Sequence, residues 1–207
     1  MIGGGVLAAA AIVAVVVVLV AGGGGGGGSD SSTTASNSGA TTSSNLPQDG
    51  LRTTKAPWAP EYSLLAQRLT DLNFPDQSDI GYHVHAALFV YVDGKQVPVP
   101  ANIGIDPQGR FIAALHTHDT SGVVHMEATK PYPFTLGEFI NVWGVDFSDQ
   151  NLGAYHAGNG KVLQLWVNGK QVSDPVNYKM KPHDVMILGY GKPGSFPTKK
   201  SYNFGDL

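Results

Sequence analysis

The stretch "HVHAALFVYVDGKQVPVPANIGI", His83 to Ile105, decides how the chain is read. Its apolar residues recur with a period of two and are broken by Asp93-Gly94, which predicts a strand, a tight turn and a returning strand. Alternation puts Val84, Ala86, Leu88, Val90 and Val92 on one face. His83, His85, Ala87, Phe89 and Tyr91 fall on the other. One face is uniformly apolar; the second begins with two histidines.

Upstream, "APEYSLLAQRLTDLNF" (Ala59 to Phe74) spaces Leu64, Leu65, Leu69 and Leu72 as on a short amphipathic helix that ends before Pro75. Downstream, "RFIAALHTHDTSGVVHMEA" (Arg110 to Ala128) predicts a second hairpin. In "FTLGEFINVWGV", Thr135 followed three residues later by Glu138 marks a helix start, with Phe139, Val142 and Trp143 facing inward. "KVLQLWVNGKQV" predicts a strand running into an Asn-Gly turn, and "YKMKPHDVMILGYG" ends in a last strand, Val185 to Leu188. From Arg110 onward the order is strand, strand, helix, strand, strand, the order of a β-grasp. The segments "LQLWVNGK" and "YKMKPHDVMILGYG" resemble the closing strands of ubiquitin-like and transcobalamin-type β-grasp modules. The expected fold class is therefore α+β: a β-grasp-like mixed sheet with one main helix. The first hairpin, Tyr82 to Ile105, is expected as an addition at the sheet edge.

The chain has seven histidines, and five lie in "YHVHAAL" and "LHTHDTSGVVHME". Residues two apart in a strand share a face, so His83 pairs with His85, His116 with His118, and His125 with Glu127. A loop over Asp119–Gly122 sets His118 opposite Val123, His116 opposite His125 and Ala114 opposite Glu127. Directly opposed β-carbons lie about 5 Å apart. His116, His118, His125 and Glu127 then converge on one face, with Leu115, Val124 and Met126 beneath as core. His116, His118 and His125 are the first candidate metal ligands. His83 and His85 join them if their strand lies beside the 112–118 strand. Glu127 is a further ligand or the group that fixes an imidazole tautomer. Asp119 caps the turn, His156 is solvated and His183 is structural in this reading.

Imidazoles without thiolates suit copper or zinc, and the chain has no cysteine. Copper leads because it tops the divalent affinity order; a two-histidine, one-carboxylate iron site is less favoured. The absence of cysteine also excludes disulfides and cysteine nucleophiles. A net charge of -3, with 14% charged residues, gives no electrostatic case for nucleic acid.

The N-terminus holds "VLAAAAIVAVVVVLVA", Val6 to Ala21, sixteen apolar residues without interruption. A bilayer core needs about 20 apolar residues, and the flanking Ile2 and glycines bring the segment close to that. It is expected as a single-pass transmembrane anchor over residues 1–22, with a cleaved signal peptide as the alternative. Residues 23–55 are rich in Gly, Ser and Thr and are expected as a disordered linker. Residues 56–207 are expected as the folded domain, outside the cytoplasm in either case.

Taken together, "HVHAALFVYVDGKQVPVPANIGI", "LHTHDTSGVVHMEA", "FTLGEFINVWGV", "VNGK" and "FPTKKSYNF" resemble an uncharacterised family of membrane-anchored or secreted proteins of actinobacteria, related bacteria and archaea. The resemblance spans Gly81 to Phe204. It implies a shared histidine site and compartment, and supplies no reaction. Three functions follow for test. The first is a metal-binding module for storage, delivery or sensing, with the metal ion and the membrane as partners and the protein partner open. The second is a mononuclear metal oxidoreductase or hydrolase. The third is a β-grasp interaction domain with a histidine pH switch. No Gly-x-Ser-x-Gly nucleophile motif and no P-loop is present, so the sequence leans away from an enzyme.

Overall fold

The computed structural model describes residues 46–205. Val6–Ala21 and the expected linker up to residue 45 lie outside the described residues. Among those described, no helix is long and apolar enough to cross a membrane. The fold is mixed α+β. Its helices are α1 (Leu65–Leu72) and α2 (Leu136–Trp143). Its strands are β1 (Tyr82–Val92), β2 (Lys95–Val97), β3 (Leu115–His116), β4 (Val123–Ala128), β5 (Asn151–Leu152), β6 (Tyr155–His156), β7 (Val162–Val167), β8 (Lys170–Val172) and β9 (Val185–Gly191).

Seven strands form one mixed sheet in the order β3-β4-β1-β9-β7-β8, with β2 also paired to β1; β5 and β6 make a separate small hairpin. β1 pairs antiparallel with β4 over Tyr82–Ala87 and parallel with β9 over Ala87–Val92. The expectation that the first hairpin is an edge addition is corrected here: β1 is a central strand. The reason is visible in its composition. Residues 86–92 are all apolar, and 85–90 are all buried, as in a strand covered on both faces. The returning strand is also shorter than expected. β2 stops at Val97 because Pro98 and Pro100 have no N–H for the ladder. The turns follow their chemistry: Asp93-Gly94 and Asn168-Gly169 all have positive φ, as a two-residue hairpin turn requires.

All eight residues of α2 are buried. Its start is a capping box. The Thr135 side chain accepts from the Glu138 N–H, and the Glu138 carboxylate accepts from the Thr135 N–H at 2.7 Å. α2 packs within the main core, which includes Ala86, Leu88, Val90, Leu115, Val124, Met126, Leu165, Met186 and Leu188. The N-terminal segment and α1 also pack on it. The Asn141 side chain donates to the Pro47 carbonyl, and the buried Arg68 guanidinium donates to the Asn141 carbonyl and to Glu61. Leu46 is buried and Arg52 bridges Val145, so packing begins at least ten residues before Ala56. The opposite sheet face carries a smaller cluster of Ala87, Phe89, Val185 and Ile187, against which Trp166, Tyr202 and Phe204 pack. The histidines lie on this second face of β1.

Candidate metal centre

The register delivers the histidines as the hairpin argument requires. His116 is paired with His125 and Leu115 with Met126. The Glu127 N–H donates to the Ala114 carbonyl at 2.9 Å, continuing the same register. Leu115, Val124 and Met126 are fully buried beneath. The β1 histidines arrive from the other side: His85 is paired with His125 and His83 with Glu127. β1 therefore lies beside β4 rather than beside β3, which corrects the expected route. The five histidines still meet, because β4 is the shared middle strand. One rung of three strands reads His116, His125, His85.

The tightest arrangement is a triangle. His83 Nε2 is 3.0 Å from His85 Nε2, and each is 3.1 Å from His125 Nδ1. Metal–imidazole bonds of about 2.05 Å separate two ligand nitrogens by about 2.9 Å at right angles and by about 3.3 Å in a tetrahedron. The observed edges fall between these values. A ring proton can serve only one edge of such a triangle at a time, whereas a cation seated over the face of the triangle meets all three nitrogens. His83, His85 and His125 can thus hold a metal ion. The first-choice set from the sequence, His116, His118 and His125, forms a second group whose nitrogens lie within 4.8 Å of one another. Within it His116 Nε2 and His118 Nε2 are 3.1 Å apart. His125 belongs to both groups.

Burial divides the ligands. His85 and His116 are buried, His125 is half-buried, and His83 and His118 are exposed. Burial first, and the neighbouring imidazoles second, push His125 down to about 3. Burial pushes His116 down to about 4 against the opposing effect of its hydrogen bond to the Ala113 carbonyl. His85 is lowered by the same desolvation and by His83. All three are held as neutral imidazoles, the form a metal needs.

Two backbone-directed contacts orient the set. His116 Nδ1 lies 2.9 Å from the Ala113 carbonyl, which can only accept, so Nδ1 carries the proton and Nε2 is left as the ligating atom. Thr117 lies between His116 and His118 but points to the opposite face. Its Oγ1 donates to the Pro100 carbonyl at 2.8 Å and accepts from the Ile103 N–H at 3.1 Å, in a fully buried setting. This pins the ribbon to the loop behind it. Sequence reasoning did not single out Thr117 or the Ala113 carbonyl. A carbonyl has no sequence signal, but an alternating His-Thr-His puts its threonine on the core face, where its hydroxyl needs partners.

Glu127 Oε1 is 3.3 Å from His83 Nε2 and 4.0 Å from His116 Nε2. It therefore touches both groups. Asp119 has the turn role expected of it, accepting from the Ser121 N–H at 2.9 Å and from the Ser121 hydroxyl. Gly122 follows with φ +87, and a Cβ there would strike the Leu88 carbonyl oxygen. His156 is exposed, as read from the sequence. His183 is structural but adjacent: its N–H donates to the His85 carbonyl at 2.7 Å, and its ring stacks on Phe204. A groove of about 430 Å³ lined by Leu69, Phe74, Phe111 and Ile112 includes none of the histidines. No family model, curated protein or solved structure matches this chain, so the centre is read from its own geometry.

Proposed function

We propose that the chain is an extracytoplasmic, membrane-anchored metal-binding protein whose histidine face holds copper or zinc for storage, delivery or sensing. The observation that carries the reading is the triangle of His83 Nε2, His85 Nε2 and His125 Nδ1 with edges of 3.0–3.1 Å. Donors that are all imidazole favour copper and zinc over magnesium or calcium, and copper leads on the affinity order. The apolar Val6–Ala21 segment supports the anchor, and the family resemblance supports the compartment. Parallel pairing of the first and last long strands at the centre of the sheet supports a β-grasp-like arrangement.

A second reading, a metal-dependent oxidoreductase or hydrolase, is favoured by one feature. Three facial nitrogens leave coordination positions open, and His83 and His118 are exposed, so those positions face solvent. Metal content by mass spectrometry tests both. The full chain, loaded with copper or zinc and desalted, retains metal, and His125→Ala, which removes the ring common to both groups, loses it. If nothing is retained after loading with either ion, both readings fall.

A further inference from the structure

We propose that the cluster binds two metal ions rather than one, with His125 shared between them; this rests on the metal-binding reading above. The five histidines close into two separate pairs around one ring. On the β1 side, His83 Nε2 and His85 Nε2 are 3.0 Å apart, and both face His125 Nδ1 at 3.1 Å. On the β3 side, His116 Nε2 and His118 Nε2 are 3.1 Å apart. Strands stand about 4.8 Å apart, so β1 and β3, on opposite sides of β4, are about 10 Å apart. Each outer pair forms its own three-histidine group with His125.

Ring positions repeat the pattern. A ring centroid lies about 3.2 Å from a metal bound through one of its nitrogens, so two ligands at right angles place their centroids about 4.5 Å apart, and tetrahedral ones about 5.2 Å. Around the first pair the separations are 4.6, 4.4 and 5.4 Å. Around the second they are 4.8, 4.5 and 4.9 Å. The second set falls within this range and the first within about 0.2 Å of it, the spacing of three imidazoles sharing one ion. His125 Nδ1 faces the first pair, which leaves Nε2 as the ring's other donor for the second ion. Occupied at both nitrogens, the ring is an imidazolate and has released its N–H proton to solvent. Glu127 sits where the two halves meet, 3.3 Å from His83 and 4.0 Å from His116, and places a negative charge between two cations.

Copper(II) titration of the detergent-solubilised full chain tests this, read by retained copper after desalting and by electron paramagnetic resonance. The wild type is expected to retain two ions. The resonance intensity per copper is expected to fall as the second binds, because the ions couple through the shared ring. His83→Ala and His118→Ala remove exposed ligands, one from each group, so neither disturbs the core. Each is expected to retain one ion with full resonance intensity. Saturation of the wild type at one ion overturns the proposal and leaves the metal-binding reading standing. Loss of all copper in both single variants also overturns it, since the five histidines then serve one ion. No copper retained by the wild type overturns both readings.

Discussion

Acidification should weaken the metal-free protein, and His116 sets a scale for how much. Its ring is 1% exposed, and burial holds it down at about 4, against 6.5 for a free histidine. Between those values the unfolded chain takes up a proton that the folded chain refuses. Stability therefore rises with pH across this window: it is fully present above about 6.5 and is lost as pH falls toward 4. Integrating the proton difference from pH 7 to pH 5 gives a loss of about 2 kcal/mol from this residue alone. For a domain of this size that is a drop of about 4–8 °C in Tm. His125, pushed down to about 3, acts in the same direction. The assay is urea denaturation of the chelator-treated protein at pH 7, 6 and 5, beside His116→Gln, which keeps a hydrogen-bonding side chain but cannot titrate. The wild type should lose stability steeply and the variant less so. Saturating copper or zinc should raise stability at pH 7 by about 2.7 kcal/mol for each ion bound at a hundredfold excess over its Kd, and that gain should vanish on acidification. A wild-type curve that is flat between pH 7 and pH 5 refutes the argument, as does a variant curve of equal slope.

Four further outcomes follow from the packing. Arg68→Met strands the Glu61 carboxylate, whose buried partner sits 2.6 Å away, and should cost about 3–5 kcal/mol by chemical denaturation. Thr135→Ala removes one half of the α2 capping box and should cost about 1 kcal/mol, measured the same way. Thr117→Val keeps the shape but leaves the Ile103 N–H without its hydroxyl acceptor; a loss of about 1–3 kcal/mol is expected, with weaker copper retention as His116 and His118 lose one of their ties to the loop behind. Gly122→Ala places a methyl group against the Leu88 carbonyl at a backbone angle that favours glycine, and should cost more than about 1 kcal/mol by thermal denaturation.

Local features of the site were legible in the chain, and long-range ones were not. The alternation of "LHTHDTSGVVHME" and the length of its turn were enough to place His116 against His125 and to send Leu115 and Met126 inward. That inference needs only a period of two and a loop of known length. The place of β1 needed more. Its seven consecutive apolar residues, Ala86 to Val92, are the mark of a strand covered on both faces, a signal stronger than the hairpin order that suggested an edge. Which strand β1 would neighbour depends on pairing between segments about 40 residues apart, and nothing local encodes that register. The outcome decides the composition of the centre. With β1 beside β4 rather than β3, the middle strand supplies the ring common to both groups, and the compact triangle includes His83 and His85 instead of His116 and His118.

The same pairing explains why the ligands can be held in a fixed geometry at a sheet's edge. β3 has only two ladder residues, too few to orient His118, which stands beyond its end. The fully buried Thr117 adds to the ladder, its hydroxyl binding the Pro100 and Ile103 backbone and its own N–H and carbonyl bonding to Ile103 and Asn102 on the core side. On the other flank His85 needs no such device, because its strand is paired with β4 and its carbonyl accepts the His183 N–H, just before the β9 ladder begins at Ala87. The two halves of the centre therefore differ in stiffness. The β1 side is fixed by β4 and the His183 N–H, and the β3 side by a two-residue ladder together with the Thr117 hydroxyl and its backbone bonds to Asn102 and Ile103. A metal ion should accordingly bind the His83–His85 side first, and Thr117→Val should weaken the His116–His118 side while leaving the other intact.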